Sequence, residues 1–405
     1  MRFFIVDDSK SAITLIRDPL LELGHEVESE TDSTQALERI RWSRPDCVVL
    51  DIMMPGIDGL ALCKQIRDDH ELRAMRVIMV SAKAYEHDRK RAMELGASGF
   101  LNKLADKDHL IDRILEIAES RFILKFWGVR GTLPVPGAGS LRYGGNTNCV
   151  TLELPTKTLF IFDAGTGIKA LSDALLAEKR SPVVARIFIS HPHWDHINAL
   201  PFFVPLYQQG NKFEIFGCSH AGVSMEQMLS AQMDGVYFPV TMQEFAADVR
   251  YRDLNEGQYN VDGIPVETLL LKHPGHCLGY RVNCNGQSVC YVSDNELYPR
   301  DSEYYDAQFH QRLIEFIRGA KYVIADATYR DEEYAPKMHW GHSPVSEVAA
   351  IAHEAGVQTL CLYHHDPDQR DDQIDAKLAA ARAKLKALNS STVVEAPAEG
   401  SSYRF

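Results

Sequence analysis

Apolar positions in the first 120 residues come in short runs separated by longer amphipathic stretches. Strand-like runs fall at 2–6, 27–30, 47–50, 77–80 and 98–101, and helical periodicity fits 12–23, 33–42, 60–67 and 108–118. This alternation predicts an α/β, parallel, doubly wound sheet, in which ligands collect at the carboxyl ends of the strands. Asp7 and Asp8 follow the first run, Asp51 the third, Ser81 the fourth and Lys103 the fifth. Five polar groups are therefore expected on one rim.

The chain then passes through Glu119, Ser120 and Arg121 into the apolar run 122–127 with no Gly-, Pro- or Ser-rich linker. This predicts a rigid junction between domains spanning 1–120 and 121–405. Beyond it, strand-like runs at 150–154, 158–162, 184–190, 213–216, 266–272, 280–284, 288–292, 322–325 and 359–363 mix with helical patterns at 168–178, 199–208, 311–318, 344–354 and 373–388. An αβ/βα sandwich, two sheets with helices outside, is the expected architecture. The tail 393–405 reads equally as disordered or as a closing strand pair.

Composition narrows the function classes. With 45% hydrophobic and 24% charged residues, the 405-residue chain is neither disordered, collagenous nor a coiled coil. No apolar run reaches the ~18 residues of a membrane helix, and the first strand runs straight into two aspartates, so neither a span nor a signal peptide is expected. Eight cysteines without a C-x-x-C pair suit buried thiols in a reducing cytoplasm. Net charge is −13, both parts are acidic and no basic stripe is visible, which argues against a grip on long nucleic acid. Histidine is the unusual residue: twelve of the 16 follow Arg121, several in tight clusters.

In the first part, two adjacent carboxylates can hold one Mg²⁺, which takes a few oxygens and keeps waters for the rest. Asp51 completes that site as a nucleophile, with Ser81 and Lys103 following at fixed distances and Pro55 and Gly59 in "DIMMPGIDG". This part resembles the response-regulator receiver domain, of flavodoxin-like fold. The resemblance implies that Asp51 accepts the phosphoryl group, that Asp7 and Asp8 bind Mg²⁺, that Ser81 and Lys103 contact phosphoryl oxygens, and that Phe100 is the aromatic switch. It also implies a sensor histidine kinase as partner and allows a homodimer through the receivers. Leu104 departs from the family, which usually has proline there.

In the second part, "SHPHWDH" places His191, His193, Asp195 and His196 just after an apolar strand. A loop leaving a strand can turn two imidazoles toward one metal, and Asp195 with His196 toward another. With "FWGVRGTLPVPG", "GGNTNCV", "FDAGTG", "HPGHCLGYR", "YVSD", "GHS" and "YHHDP", the region from 122 to about 400 resembles metallo-β-lactamase-fold hydrolases of the RNase Z and cyclic-phosphate phosphodiesterase branch. That resemblance implies two divalent transition-metal ions, zinc first, with manganese or iron as alternatives. One ion would have His191, His193, His273 and Asp294; the other Asp195, His196, Asp294 and His364. His276 and His365 compete for ligand positions or contact substrate, and in relatives the place of His276 is commonly glycine.

Asp163 reads as a residue that supports a ligand rather than as a ligand. His342 in "GHS" is the implied acid for the leaving group, with Asp326 of "DATY" as its partner, and Asp195 is counted with them as catalytic. "GGN" at 144–146 lacks the lysine and helix of a phosphate loop, and a plain turn is preferred. The stretch 235–241, "GVYFPVT", reads either as an aromatic wall for a base or as core packing.

The expected function is a response regulator whose output is a phosphodiesterase for a small, cyclic or linear, nucleotide or phosphodiester. A thioester, lactone or lactam hydrolase is the enzymatic alternative, and a signalling module with a structural metal the non-catalytic one.

Overall fold

The computed structural model describes residues 1–405 except 70, 74, 83, 84, 107, 108, 120 and 285. The expected helix start at 108 and junction residue 120 lie outside the described residues. The chain divides into two compact units: Met1–Ser120 with Tyr259–Val266 and Val282–Gln287, and the remainder. Among the described residues no helix is long and apolar enough to cross a membrane.

The first unit is built on β1 (Arg2–Val6), β2 (Glu26–Glu30), β3 (Cys47–Asp51), β4 (Arg76–Ser81) and β5 (Gly99–Asn102), all parallel in the order β2-β1-β3-β4-β5. Helices α1 (Lys10–Glu22), α2 (Ser33–Ser43), α3 (Gly59–Asp68), α4 (Glu86–Glu94) and α5 (Leu110–Glu119) connect them. Alternation along β1 divides the core: Phe4 and Val6 join the cluster under α2 and α3, whereas Phe3 and Ile5 join the one under α1 and α5. The flavodoxin-like strand order expected from the sequence is observed, with the switch point between β1 and β3.

Residues 121–405 form two seven-stranded sheets. The first sheet uses β6 (Ile123–Gly128), β7 (Cys149–Glu153), β8 (Leu159–Phe162), β9 (Val184–Phe188), β10 (Lys212–Gly217) and β11 (Asp248–Asp253). The second runs in sequence order through β12 (Gly257–Val261), β13 (Ile264–Leu270), β14 (Leu278–Cys284), β15 (Gln287–Val292), β16 (Tyr322–Asp326), β17 (Thr359–Tyr363) and β18 (Val393–Glu395). The last strand, β19 (Ser402–Arg404), returns to pair antiparallel with β6. The tail is thus ordered, but its two strands close different sheets instead of pairing with each other.

Side-chain alternation builds the layers. Leu159 and Ile161 of β8 face helix α6 (Gly167–Ala177), while Phe160 and Phe162 point to the other sheet. Between the sheets Phe162 stacks on Tyr291, Phe188 on Phe216, and Phe126 meets Tyr363, an aromatic layer of ring centroids 4.9–6.1 Å apart. Met225 and Leu229 of α8 (Met225–Gln232) join the cluster of α6. Outside the second sheet, α9 (Ala307–Ile317), α11 (Val345–Glu354), which follows the single turn α10 (Asp331–Tyr334), and α12 (Asp371–Ala387) bury Leu313, Val348 and Ala381. The αβ/βα sandwich is therefore as expected.

One expected helix is absent. Residues 199–208 form two 3-10 turns, Leu200–Phe202 and Val204–Tyr207. Pro201 and Pro205 remove the amide donors that a continuous helix would need.

Candidate functional site

The ligand candidates stand on loops at the carboxyl ends of strands. His191 and His193 leave β9, and a single helical turn, α7 (Trp194–Ile197), carries Asp195 and His196. His273 lies between β13 and β14, Asp294 follows β15, and His364 follows β17 with φ +56. Such a left-handed φ is strained for a non-glycine residue and persists only where the surroundings impose it. Gly131 makes room for it, since an added Cβ there would stand 2.1 Å from the His364 ring.

The donor atoms of these residues lie close together. His191, His193, His273 and Asp294 bring one ligand atom each within 4.8 Å of one another, and so do Asp195, His196 and His364. Asp294 stands between the sets, with Oδ2 3.6 Å from His191 Nε2 and from His273 Nε2, and Oδ1 3.2 Å from His196 Nε2 and 3.1 Å from His364 Nε2. A third grouping, Asp294, Asp326, His342 and His364, is equally compact.

On three of the rings the far side is held by a partner. Asp163 Oδ2 lies 2.7 Å from His196 Nδ1 and also accepts from Tyr291 Oη at 2.7 Å. Thr328 Oγ1 lies 3.0 Å from His364 Nδ1, and Gly341 O lies 3.0 Å from His273 Nδ1. Each leaves Nε2 turned inward, the usual arrangement of a ligating imidazole. Asp195 Oδ2 accepts from Thr132 N at 2.8 Å and Asn148 Nδ2 at 3.0 Å.

The electrostatics suit a cation. Burial works against charge on Asp195 and Asp294, yet the neighbouring imidazoles, His196 and His364 foremost, hold both well below the usual carboxylate range. Burial pushes the His191, His193 and His273 imidazoles down, so they are neutral with lone pairs to offer. His196 goes the other way: burial is outweighed by Asp195, Asp294 and Asp163, which raise it well above its ordinary value. Among the described residues His191 Nε2, fully buried, has no hydrogen-bond partner. An orphaned nitrogen among neutral imidazoles and ionised carboxylates fits a divalent metal.

In the first unit, Lys103 Nζ donates to Asp7 Oδ2 at 2.5 Å and to Asp51 Oδ1. Burial and Asp7 raise the Asp51 carboxyl despite Lys103, and the two carboxylates raise Lys103 against its own burial. Ser81 is buried, Asp8 is exposed at the rim, and Phe100 is half-buried against the apolar cluster under α2 and α3. Gly59 is required where α3 starts, because an added Cβ would stand 2.1 Å from Asp51 O. Leu104 N donates to Asn102 Oδ1 at 2.8 Å, a bond that proline could not make.

Residues 3–115 match the response regulator receiver domain, and residues 158–365, just over half of the chain, match the beta-lactamase superfamily domain. The chain carries a response-regulator receiver domain and belongs to the beta-lactamase superfamily. The response regulator PleD of Caulobacter vibrioides is 32% identical over 123 residues, 30% of this chain and 27% of PleD. The chain thus spans about a quarter of that relative. The transcriptional regulatory protein CseB of Streptomyces coelicolor is 31% identical over 202 residues, 48% of this chain and 81% of CseB. Among solved structures, the metallo-β-lactamase fold protein YhfI of Bacillus subtilis superimposes with a TM-score of 0.51 at 18% identity, covering 70% of this chain and all of YhfI. A receiver implies a phosphodonor such as a sensor histidine kinase, and the metallo-β-lactamase fold implies divalent metal binding.

In the superfamily domain, the cavity over the ligand candidates measures about 610 Å³. His342 and Asp326 meet at its edge, Nδ1 to Oδ2 2.8 Å. Its outer wall holds residues that the sequence did not single out: Trp340, 61% exposed, and Lys337, whose Nζ donates to Asp366 Oδ2 at 2.8 Å. No local pattern marks them; they reach the cavity only because the segment before α11 folds over it. The stretch 235–241 does not line this cavity: Val236 and Tyr237 are exposed, and Phe238 packs on Phe202.

His276 and His365 fall outside all the ligand groups. His276 is exposed beside His220, and its φ of +55 is a conformation that glycine adopts more easily. His365 is fully buried, edge-on to Tyr143, and neither nitrogen has a hydrogen-bond partner among the described residues. "GGN" is a turn: Gly144 has φ +103, and Asn146 bonds Glu399.

Proposed function

We propose that this response regulator, with domains at 1–120 and 121–405, has as its output a phosphodiesterase for a small nucleotide-like diester, cyclic or linear, controlled by phosphorylation of Asp51. The observation that carries the reading is the His342–Asp326 pair on the rim of the ligand set. Hydrolysis of a phosphodiester expels an alkoxide, which needs a proton, and a histidine held charged beside the cavity can give one.

His191, His193, His273 and Asp294 would hold one ion, and Asp195, His196, Asp294 and His364 a second. Two such ions supply Lewis acidity to phosphoryl oxygens and lower the pKa of water toward neutrality. The chain's own residues do the rest. Asp163, Thr328 and Gly341 O keep three imidazoles aimed inward. Asp326 engages His342 Nδ1, so Nε2 is the nitrogen with a proton to deliver. Trp340 offers an exposed ring on which a base can stack, a contact worth roughly 1–3 kcal/mol per base.

The acidic surface and a cavity of about 610 Å³ favour a small substrate over long nucleic acid. The partners in this reading are a sensor histidine kinase and a second receiver, in the cytoplasm. The test is turnover by the purified, zinc-loaded chain on a panel of cyclic and linear nucleotides, with a thioester, a lactone and a lactam alongside. Hydrolysis of the carbonyl compounds alone would overturn the phosphodiesterase reading.

A further inference from the structure

Three segments from distant parts of the chain meet at the site: the turn before β14 with His273, the exit of β15 with Asp294, and the segment before α11 with His342. A row of hydrogen bonds joins them behind the cavity. Lys272 N donates to Asn295 Oδ1 at 3.0 Å, and Glu296 N donates to Lys272 O at 2.8 Å. Ser343 Oγ donates to Asn295 O at 2.5 Å and accepts from Leu297 N at 3.0 Å.

Glu296 is the centre of this weld. It is 3% exposed, and neutral groups meet both of its oxygens. Oε1 accepts from His339 N at 2.7 Å and Tyr334 Oη at 2.8 Å, and Oε2 accepts from Gly341 N at 2.9 Å. A buried carboxylate is a costly choice for stability alone.

What Glu296 holds is specific. Gly341 lies at φ +86, and an added Cβ would stand 2.3 Å from His273 Nδ1, so this backbone passes directly against that ring. Gly341 O lies 3.0 Å from the same nitrogen, which keeps the proton on Nδ1 and frees Nε2. The next residue is His342. One glycine therefore orients the His273 ring and leads into the candidate acid, and its amide is fixed by Glu296.

We propose that Glu296 is a positioning residue that sets His273 and His342 together through the Gly341 backbone. The His342 half rests on the phosphodiesterase reading; the His273 half requires only that this ring bind metal. The experiment uses the full chain with Glu296→Ala and, as control, Tyr334→Phe, which removes one donor to the same carboxylate and leaves the Gly341 bond. Zinc affinity is measured against a competing chelator, and Tm on the same samples.

Glu296→Ala is expected to weaken one of the two zinc sites ~10- to 100-fold, the range for losing an outer partner of a ligand. Tyr334→Phe should lower Tm and leave both affinities in place. Wild-type zinc affinities in Glu296→Ala, or equal weakening in Tyr334→Phe, would show that Glu296 serves only the fold, and a wild type without two zinc sites would end the proposal too. Should the alanine variant not fold, Glu296→Gln, which keeps the volume, takes its place with the same outcomes. Hydrolysis is read separately. A wild type that binds two zincs but cleaves no diester overturns the proposed function and leaves the zinc result to decide the role of Glu296.

Discussion

His342 presents Nδ1 to Asp326 Oδ2 at 2.8 Å, and its ring stacks on that of His364 with centroids 4.8 Å apart. Burial disfavours charge on His342, but Asp326, with Asp294 and Asp195 behind it, outweighs burial and raises the pKa to about 9. The pair therefore keeps a proton at neutral pH although the His342 side chain is only 12% exposed.

A general acid works only while protonated, so turnover of substrates with alkoxide leaving groups should fall as pH rises through the pKa of His342, which Asp326 holds up. Asp326→Asn removes the largest opposing charge, and the falling limb should move to lower pH. Profiles of kcat against pH for the two proteins check this. Superimposed limbs would remove Asp326 from the role.

His342→Ala should retain both metals and slow hydrolysis by ~10²- to 10⁴-fold, the range for loss of a positioned acid. The defect should shrink when the leaving group is a nitrophenolate, which departs without a proton. An equal defect for good and poor leaving groups would mean that His342 has another task.

Much of this arrangement was legible in the sequence, because strand ends mark the candidate ligand positions. His191, Asp294 and His364 follow apolar runs, and a strand that stops at a polar residue places it on the rim. What was hidden depends on long-range convergence. Glu296 reads like any solvated glutamate after "YVSD", and only the return of 334–341 over the cavity buries it. The strands β11 and β12 were missed for another reason: at the sheet edge their alternation is polar on exposed positions, and no apolar run announces them. The helix expected at 199–208 failed locally, at two prolines whose effect the apolar periodicity concealed.

Asp294 faces both ligand sets with different oxygens. Asp294→Ala should therefore lose or scramble both ions, whereas His191→Ala should weaken one set alone. Metal content per chain, measured after dialysis, distinguishes the two. Two tightly held ions in the Asp294 variant would refute the shared position.

Gly131→Ala tests the site from its backbone. The new Cβ would stand 2.1 Å from the His364 ring, so the ring must move. The expected result is a folded protein, by circular dichroism, with weakened affinity in the set of Asp195, His196 and His364 and a normal one in the other. Unchanged affinity for both ions would show that His364 is not needed as a ligand.

Regulation is expected to begin at Asp51. Lys103 now bridges Asp7 and Asp51, and its own backbone N–H donates to Ser81 O at 2.9 Å, so the ends of β1, β3, β4 and β5 already share one set of contacts. A phosphoryl group on Asp51 adds roughly −1.5 to −2 charge and three strong acceptor oxygens, which Lys103 and Ser81 can bind in place of the present contacts. Phe100 pairs across from Met79, two residues before Ser81, so a shift of the β4 end reaches the aromatic ring on β5. With Mg²⁺ and a phosphodonor, wild type should incorporate one acid-labile phosphate and Asp51→Ala none. Turnover and mass in solution are then compared for both proteins, each with and without beryllofluoride. The wild type alone should change in at least one of the two, because only Asp51 can carry the mimic. Identical turnover and identical mass in all four samples would mean that the receiver does not control this output.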